Sequence, residues 1–403
     1  MSQPSHSIPS KHSVLSNEDI EHDDHITHTF EQYEFTKTQS PLPLNGVRRR
    51  TAPLSADMGG TMTKIVFWIP GDTDIDLPKY VEPEESVMSG FDLYPDPVLK
   101  VTMNSKGENE LCFMKFPTSQ IPEFIHYAKT SKLKEIYGIG NLQILNVTGG
   151  GAYKFANLLK DEMDLEVRQQ DEMRCLVLGV NFLLLCCQEK LCFRFVNKTK
   201  LYREVTPEIF PYLLVNVGSG VSILKVTAPE KYERVSGSLI GGGTFWGLCC
   251  LLTNYKSFDE MLQAAQYGQH QNVDLYVKDI YGRCYDSVGL AADMMASSFG
   301  KIQKVPCGEA KNHYSEADIA QGLMMMVCGS IAHLGFELTK LHHINRIFYT
   351  GGFVAHNPVV WEAITTMLTT WSSGSVDANF LEYDGYFGSI GALLLSEYEE
   401  ELM

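Results

Sequence analysis

One order of elements occurs twice in this chain, and it constrains the fold more than any other feature. The stretches "LSADMGGTMTKIVF" (54–67) and "YLLVNVGSGVSILKV" (212–226) each read as strand, small-residue turn, strand. Laid over one another, Asp57 falls on Asn216, Gly59 on Gly218, Gly60 on Ser219 and Thr61 on Gly220. A second pair follows: "ILNVTGGGA" (144–152) matches "IFYTGGFVA" (347–355), each an apolar strand ending in Thr-Gly-Gly. Asp57 and Thr148 are 91 residues apart, whereas Asn216 and Thr350 are 134 apart. The halves therefore share a core and carry different insertions.

An α/β chain duplicated in this way predicts an ATP site in the cleft between its halves. Glycine turns let backbone N–H groups approach phosphate oxygens, and helix N-termini add partial positive charge. Asp57, at the end of the first strand, is placed to hold Mg²⁺ or its waters. "GGGTFWGLCCLL", from Gly241, reads as a third glycine loop running into a helix.

With 403 residues and 44% hydrophobic content, the chain can form two cores. A net charge of -16 argues against nucleic acid as the main partner, because a phosphate backbone needs a basic face. Small anions remain possible ligands. The ten cysteines contain no CxxC pair and sit mostly in apolar runs, as expected of reduced, buried thiols. The apolar run Leu176–Cys187 is twelve residues long, too short for a span of about twenty, and predicts a core helix. No signal core precedes it, so a soluble, cytoplasmic protein is expected, with a nuclear or organellar pool left open.

Three segments are expected. Residues 1–51 form a disordered polar tail with His6, His12, His22, His25 and His28, ending at Arg48–Arg50. Residues 52–205 form an N-terminal domain interrupted by an acidic, Pro-rich loop at 70–100, and 206–403 form a C-terminal domain. Ser257-x-x-Glu260 and Ser315-x-x-Asp318 read as capping boxes, the second opening a long apolar helix to about Leu341; a terminal helix begins near Gly388.

The motifs "DMGGTMTKIVFW", "KFPTSQIPEFI", "VTGGGAYKF", "DEMRCLVLG", "LLVNVGSGVSILKV", "RVSGSLIGGGTFWGLCCLLT", "DIYGRCY", "SSFGKI" and "FLEYDGYFGSIGALL" occur in this order. Together, over about 52–396, they resemble the eukaryotic type II pantothenate kinases. The resemblance implies an actin-like (RNase H-like) ATPase fold with two mixed-sheet domains, and ATP- and Mg²⁺-dependent phosphorylation of pantothenate, the first step of coenzyme A synthesis. It further implies a homodimer and feedback by acetyl-CoA or another acyl-CoA.

Residue by residue, the resemblance matches Glu172 to the catalytic acid, Arg234 to the clamp on the pantothenate carboxylate, and Ser219 and Ser222 to substrate contacts. It places Asp57, Gly59, Gly60, Thr61 and Lys64 in the first phosphate loop. Gly241, Gly242 and Gly243 fall in the third glycine loop, and Gly351 and Gly352 in the nucleotide-side loop. By position alone, Glu172 suits an acid set for the helix dipole, Arg234 a surface arginine beside Glu233, and Lys64 an outward strand lysine. Ser219 and Ser222 suit any tight turn, and Trp371 either the acyl end of a pocket or the core.

The chain departs from the family pattern at Arg174, Leu239, Gly352 and Ala156. Arg174, two residues after the base, is expected to lower its pKa, and Leu239 to remove a hydroxyl contact. The rivals are a non-catalytic acyl-CoA sensor or scaffold of the same family, which would be expected to lack Glu172, and a sugar kinase, which would not need Arg234.

Overall fold

The first hairpin forms as its sequence predicts. β1 (Leu54–Met58) and β2 (Met62–Pro70) pair antiparallel with Asp57 opposite Lys64, and the Gly59 N–H closes the turn on the Met62 carbonyl at 3.0 Å. This computed structural model describes residues 54–70, 94–102, 108–130, 144–186, 191–306, 308–309 and 313–401. The expected polar tail, with its histidines and Arg48–Arg50, lies outside the described residues.

Next come β3 (Tyr94–Thr102), β4 (Glu108–Pro117), α1 (Ile121–Thr130), β5 (Ile144–Thr148), α2 (Gly150–Met163), β6 (Glu166–Gln169) and α3 (Glu172–Cys186). The first sheet runs β3-β4-β2-β1-β5-β6. Part of the expected 70–100 loop is therefore a strand, while 71–93 lies outside the described residues. β3 tolerates Pro95 and Pro97 because, among the described residues, it is an edge strand paired with β4 alone, and its register slips between Asp96 and Leu99.

The chain then forms β7 (Cys192–Val196), β8 (Thr199–Arg203), β9 (Tyr212–Val217), β10 (Val221–Ala228) and β11 (Lys231–Ser238). α4 (Gly242–Leu252) and α5 (Phe258–Tyr267) follow, then the small β12 (Leu275–Tyr276), α6 (Val277–Tyr281) and β13 (Met295–Ser297). α7 (Glu316–His342), β14 (Arg346–Thr350), α8 (Pro358–Ser372), β15 (Asp377–Leu381) and α9 (Phe387–Glu401) complete it. The second sheet runs β11-β10-β9-β14-β15-β7-β8. By sheet membership the second half thus starts at Cys192, ahead of the 205/206 division read from the sequence, because β7 pairs with β15.

Without the added strands, the halves repeat one plan. β4-β2-β1-β5-β6 matches β11-β10-β9-β14-β15, with β1 parallel to β5 as β9 is to β14. The registers agree as well: Asp57 lies opposite Thr148, and Asn216 opposite Thr350. This is the duplicated, two-sheet architecture of the actin-like fold.

α3 and α9, the closing helices of the two halves, pack directly together. Gly179 on α3 abuts the Phe387 carbonyl and Gly391 on α9 abuts the Cys175 carbonyl, leaving no room for a Cβ on either. The Ser55 hydroxyl donates to the Ser389 carbonyl at 2.6 Å, joining α9 to the first sheet.

Both expected caps are present. Ser257 Oγ accepts from Glu260 N and Ser315 Oγ accepts from Asp318 N, each at 3.1 Å. α7 is apolar and long enough to cross a membrane by composition alone, yet it packs as the core helix of the second half through Leu323, Met324, Val327 and Ile331.

Candidate active site

Asp57, Glu172 and Asp384 all lie within electrostatic reach of Lys64. Lys64 sits across the hairpin from Asp57 on the same face of the sheet. Packed glycines flank the Asp57 carboxylate: a Cβ on Gly149 would lie 2.6 Å from Oδ1, and one on Gly388 would lie 2.7 Å from Oδ2. Loss of hydration raises the Asp57 pKa against the pull of Lys64.

Glu172 opens α3, which Asp171 caps by accepting the Arg174 N–H at 2.7 Å. The residue is exposed, yet its carboxyl still loses hydration. That loss raises its pKa first, then the negative charges of Asp57 and Asp171, with Lys64 opposing. Arg174 does not exert the expected lowering. Its guanidinium reaches toward Glu230, 3.8 Å away on the β10–β11 turn.

The site glycines divide into two kinds. Gly60, Gly150, Gly218 and Gly352 have open space where a Cβ would stand, and all four are exposed. They occupy the hairpin turn and the Thr-Gly-Gly turn of each half, where a phosphate can come close to backbone. The others are packed. Gly351, at φ +106°, would bring a Cβ to 2.5 Å from the Val217 carbonyl and 2.6 Å from Asn216 Oδ1. Asn216 faces Gly351 as Asp57 faces Gly149, so the pseudo-symmetry extends to single atoms.

Gly241, Gly242 and Gly243 do not offer free amides to a phosphate. Gly242 N donates to Gly218 O at 2.9 Å, Gly243 N to Ser219 O at 3.0 Å, and Gly241 N to Thr244 Oγ1 at 3.3 Å. This loop braces the second hairpin turn. Thr118 does the same for the first, its N–H donating to Thr61 O at 2.8 Å and its hydroxyl to Gly59 O at 2.9 Å.

On the second half, Ser222 lies opposite Asn216, the place that Lys64 holds opposite Asp57. Ser222 also lies opposite Gly237, and the Arg234 guanidinium occupies the space a Gly237 side chain would fill. The bulge between Ile223 and Leu224 thus brings the guanidinium back over Ser222. Ser219 is exposed in the turn above. Ser222 and Arg234 therefore share one patch, whereas Arg234 is not among the groups that shift Glu172. Leu239 is 95% exposed, and its carbonyl accepts from Thr244 Oγ1 at 3.0 Å.

Comparison with known families gives a match over residues 53–395 to the model described as Fumble. The chain belongs to the Fumble family. A pantothenate kinase of Schizosaccharomyces pombe is 32% identical over 360 residues, covering 88% of this chain and 83% of that protein. The 4'-phosphopantetheine phosphatase of Mus musculus is 36% identical over 341 residues, covering 84% of this chain and 40% of that protein. Pantothenate kinase 2 of Arabidopsis thaliana is 36% identical, covering 85% of this chain and 38% of that protein. The chain thus spans about two-fifths of the length of these last two relatives. Among solved structures, a glucokinase from Balamuthia mandrillaris superposes with a TM-score of 0.40 at 12% identity, covering 84% of this chain and 92% of that one.

In this Fumble chain the sequence reading missed Asp384 as a site residue, although "FLEYDGYFG" contains it. It is 5% exposed and accepts from Thr350 Oγ1 at 2.6 Å and Gly351 N at 3.0 Å. Burial pushes its pKa up to about 6, although those bonds and Lys64 favour the charged form. The legible signal was an acid followed by glycine just after the last strand. Trp371 lies outside this constellation, edge-on to His333 with ring centroids 5.3 Å apart. It lines a cavity of about 520 Å³ with Met325, Met326 and Met367, to which Asp57, Lys64 and Glu172 contribute nothing.

Proposed function

We propose that this chain is a pantothenate kinase, transferring the γ-phosphoryl group of ATP to the primary hydroxyl of pantothenate. The observation that carries the reading is the meeting of Glu172, its pKa raised, with Lys64 and Asp57 beside the open glycine turns. A general base must take a proton readily, and a carboxyl whose pKa is raised by lost hydration and neighbouring carboxylates takes one more readily than an ordinary carboxyl. Glu172 takes the hydroxyl proton as the oxygen attacks phosphorus. Lys64 stands where its ammonium meets the transferred phosphoryl group. Arg234 holds the pantothenate carboxylate bidentately, with the Ser222 and Ser219 hydroxyls on the polar groups beside it.

Mg²⁺ fits this donor set. Among the described residues no group of three or more acidic, His or Cys side chains forms a metal cage. That suits an ion shared between one carboxylate and substrate phosphates. Asp57, with its raised pKa and Lys64 as the opposing charge, is the residue that would hold the ion or its waters. When bound, the ion neutralises charge on the phosphates.

Homodimerisation, acyl-CoA feedback and a cytoplasmic location belong to the same proposal. The retained Glu172 favours a working kinase over a non-catalytic sensor, and the Arg234–Ser222 patch favours a carboxylate substrate over a sugar. The test is ATP- and Mg²⁺-dependent phosphorylation of labelled pantothenate beside glucose and N-acetylglucosamine. Pantothenate alone should be phosphorylated. Phosphorylation of a sugar, or of nothing, would overturn the proposal.

A further inference from the structure

The two halves treat equivalent turns differently. In the first half the Thr148 hydroxyl, at the head of Thr-Gly-Gly, donates to a backbone carbonyl, Gln170 O, at 3.1 Å. In the second, the equivalent Thr350 hydroxyl donates to a carboxylate, Asp384 Oδ1, which also takes the Gly351 N–H. Gln170 and Asp384 both follow the last strand of their half and precede its closing helix.

A neutral acceptor therefore suffices to hold such a turn. A buried carboxylate in its place costs hydration that a carbonyl does not, unless the charge has a further partner. The partner is Lys64, from the other half. Its Cε lies 3.7 Å from where a Gly385 Cβ would stand, and Gly385, at φ +102°, follows Asp384 directly. The Lys64 stem thus passes within ordinary van der Waals reach of the turn that carries Asp384.

We infer that Asp384 is a positioning residue that ties the Thr350–Gly351 turn of the second half to Lys64 of the first. Its hydrogen bonds fix the nucleotide-side turn, and its charge holds the ammonium that meets the transferred phosphoryl group. The phosphate-facing loops of the two halves are thereby set at one separation. Asp384 touches no reacting atom. The inference rests on the kinase reading for what the loops hold, but the tie itself exists without ligand.

The experiment is a double-mutant cycle on the full chain with Asp384→Asn, Lys64→Met and the pair. Asn keeps the side-chain oxygen that accepts both bonds and removes only the charge. Urea unfolding without ligand reads the tie, and calorimetric titration with Mg·ATP reads its use. We expect the effect of Asp384→Asn on the unfolding constant to differ by at least 5-fold between the unsubstituted and Lys64→Met backgrounds. We expect Mg·ATP binding to weaken about 5- to 10-fold on Asp384→Asn with Lys64 present, and less than 2-fold once Lys64→Met has removed the ammonium. Equal effects in both backgrounds, in either readout, would show that Asp384 acts on its own turn alone and would overturn the inference. Coupling in unfolding with no ATP binding by the unsubstituted chain would keep the tie and sink the kinase reading together with the positioning role.

Discussion

At the scale of single residues, the site is a balance of carboxylates around one lysine. Asp57, Glu172 and Asp384 all have raised pKa values, with burial or lost hydration the largest cause for each. For Asp384 the sign follows directly. Its folded pKa of about 6 exceeds the unfolded value of 3.8, so the folded state holds the proton more tightly, and stability falls as pH rises from about 4 to about 6. Taken alone, that shift corresponds to about 3 kcal/mol. Asp384→Asn should remove this component, so its melting temperature should drop less than that of the unsubstituted chain between about pH 4.5 and about pH 7.5. Parallel losses would contradict the assignment. Glu172, the proposed base, was legible in sequence only through resemblance, because a helix-opening acid is common. Asp384 was not legible, since nothing local marks a carboxylate whose partners lie 34 residues away at Thr350 and on the opposite half at Lys64.

At the scale of elements, the turns were legible and their roles were not. Hairpin and Thr-Gly-Gly turns were visible because small residues interrupt apolar runs, and the caps at Ser257 and Ser315 because capping chemistry is local. Which glycine amides are free depends on strands far apart in sequence, so Gly241–Gly243 read as a phosphate cradle while the fold uses them as a brace. Two substitutions separate these uses. Gly242→Ala places a Cβ 2.9 Å from the Gly218 carbonyl and should lower stability by about 1–3 kcal/mol, measured by thermal unfolding. Gly60→Ala meets open space and should leave stability within about 0.5 kcal/mol, while raising KM for ATP several-fold. At the α3–α9 crossing, Gly391→Val should cost about 3 kcal/mol or more, because the neighbouring Cys175 carbonyl cannot retreat from a packed helix.

At the scale of the whole molecule, two copies of one plan have diverged into unlike partners. In the proposed site the first half supplies Asp57, Lys64 and Glu172, and the second supplies Ser222, Arg234 and the Asp384-held turn. The duplicated order was legible from motif pairs alone. The β7–β8 extension was not, because short strands declare no partner. Nor was the edge strand β3, with its prolines, inside an expected loop. Ligand should stabilise the chain as a unit. Mg·ATP at about a hundred times its Kd adds about 2.7 kcal/mol, seen as a rise in melting temperature, and EDTA should remove most of it.

The central claim is that Glu172 is the base of a phosphoryl transfer assembled between these halves. The direct measurement is kcat for ATP-dependent phosphorylation of pantothenate by Glu172→Gln beside the unsubstituted chain, with ATP affinity measured on both. The account predicts a fall in kcat of about 10²- to 10⁴-fold with ATP affinity held within about 3-fold. Turnover that survives the substitution would contradict it.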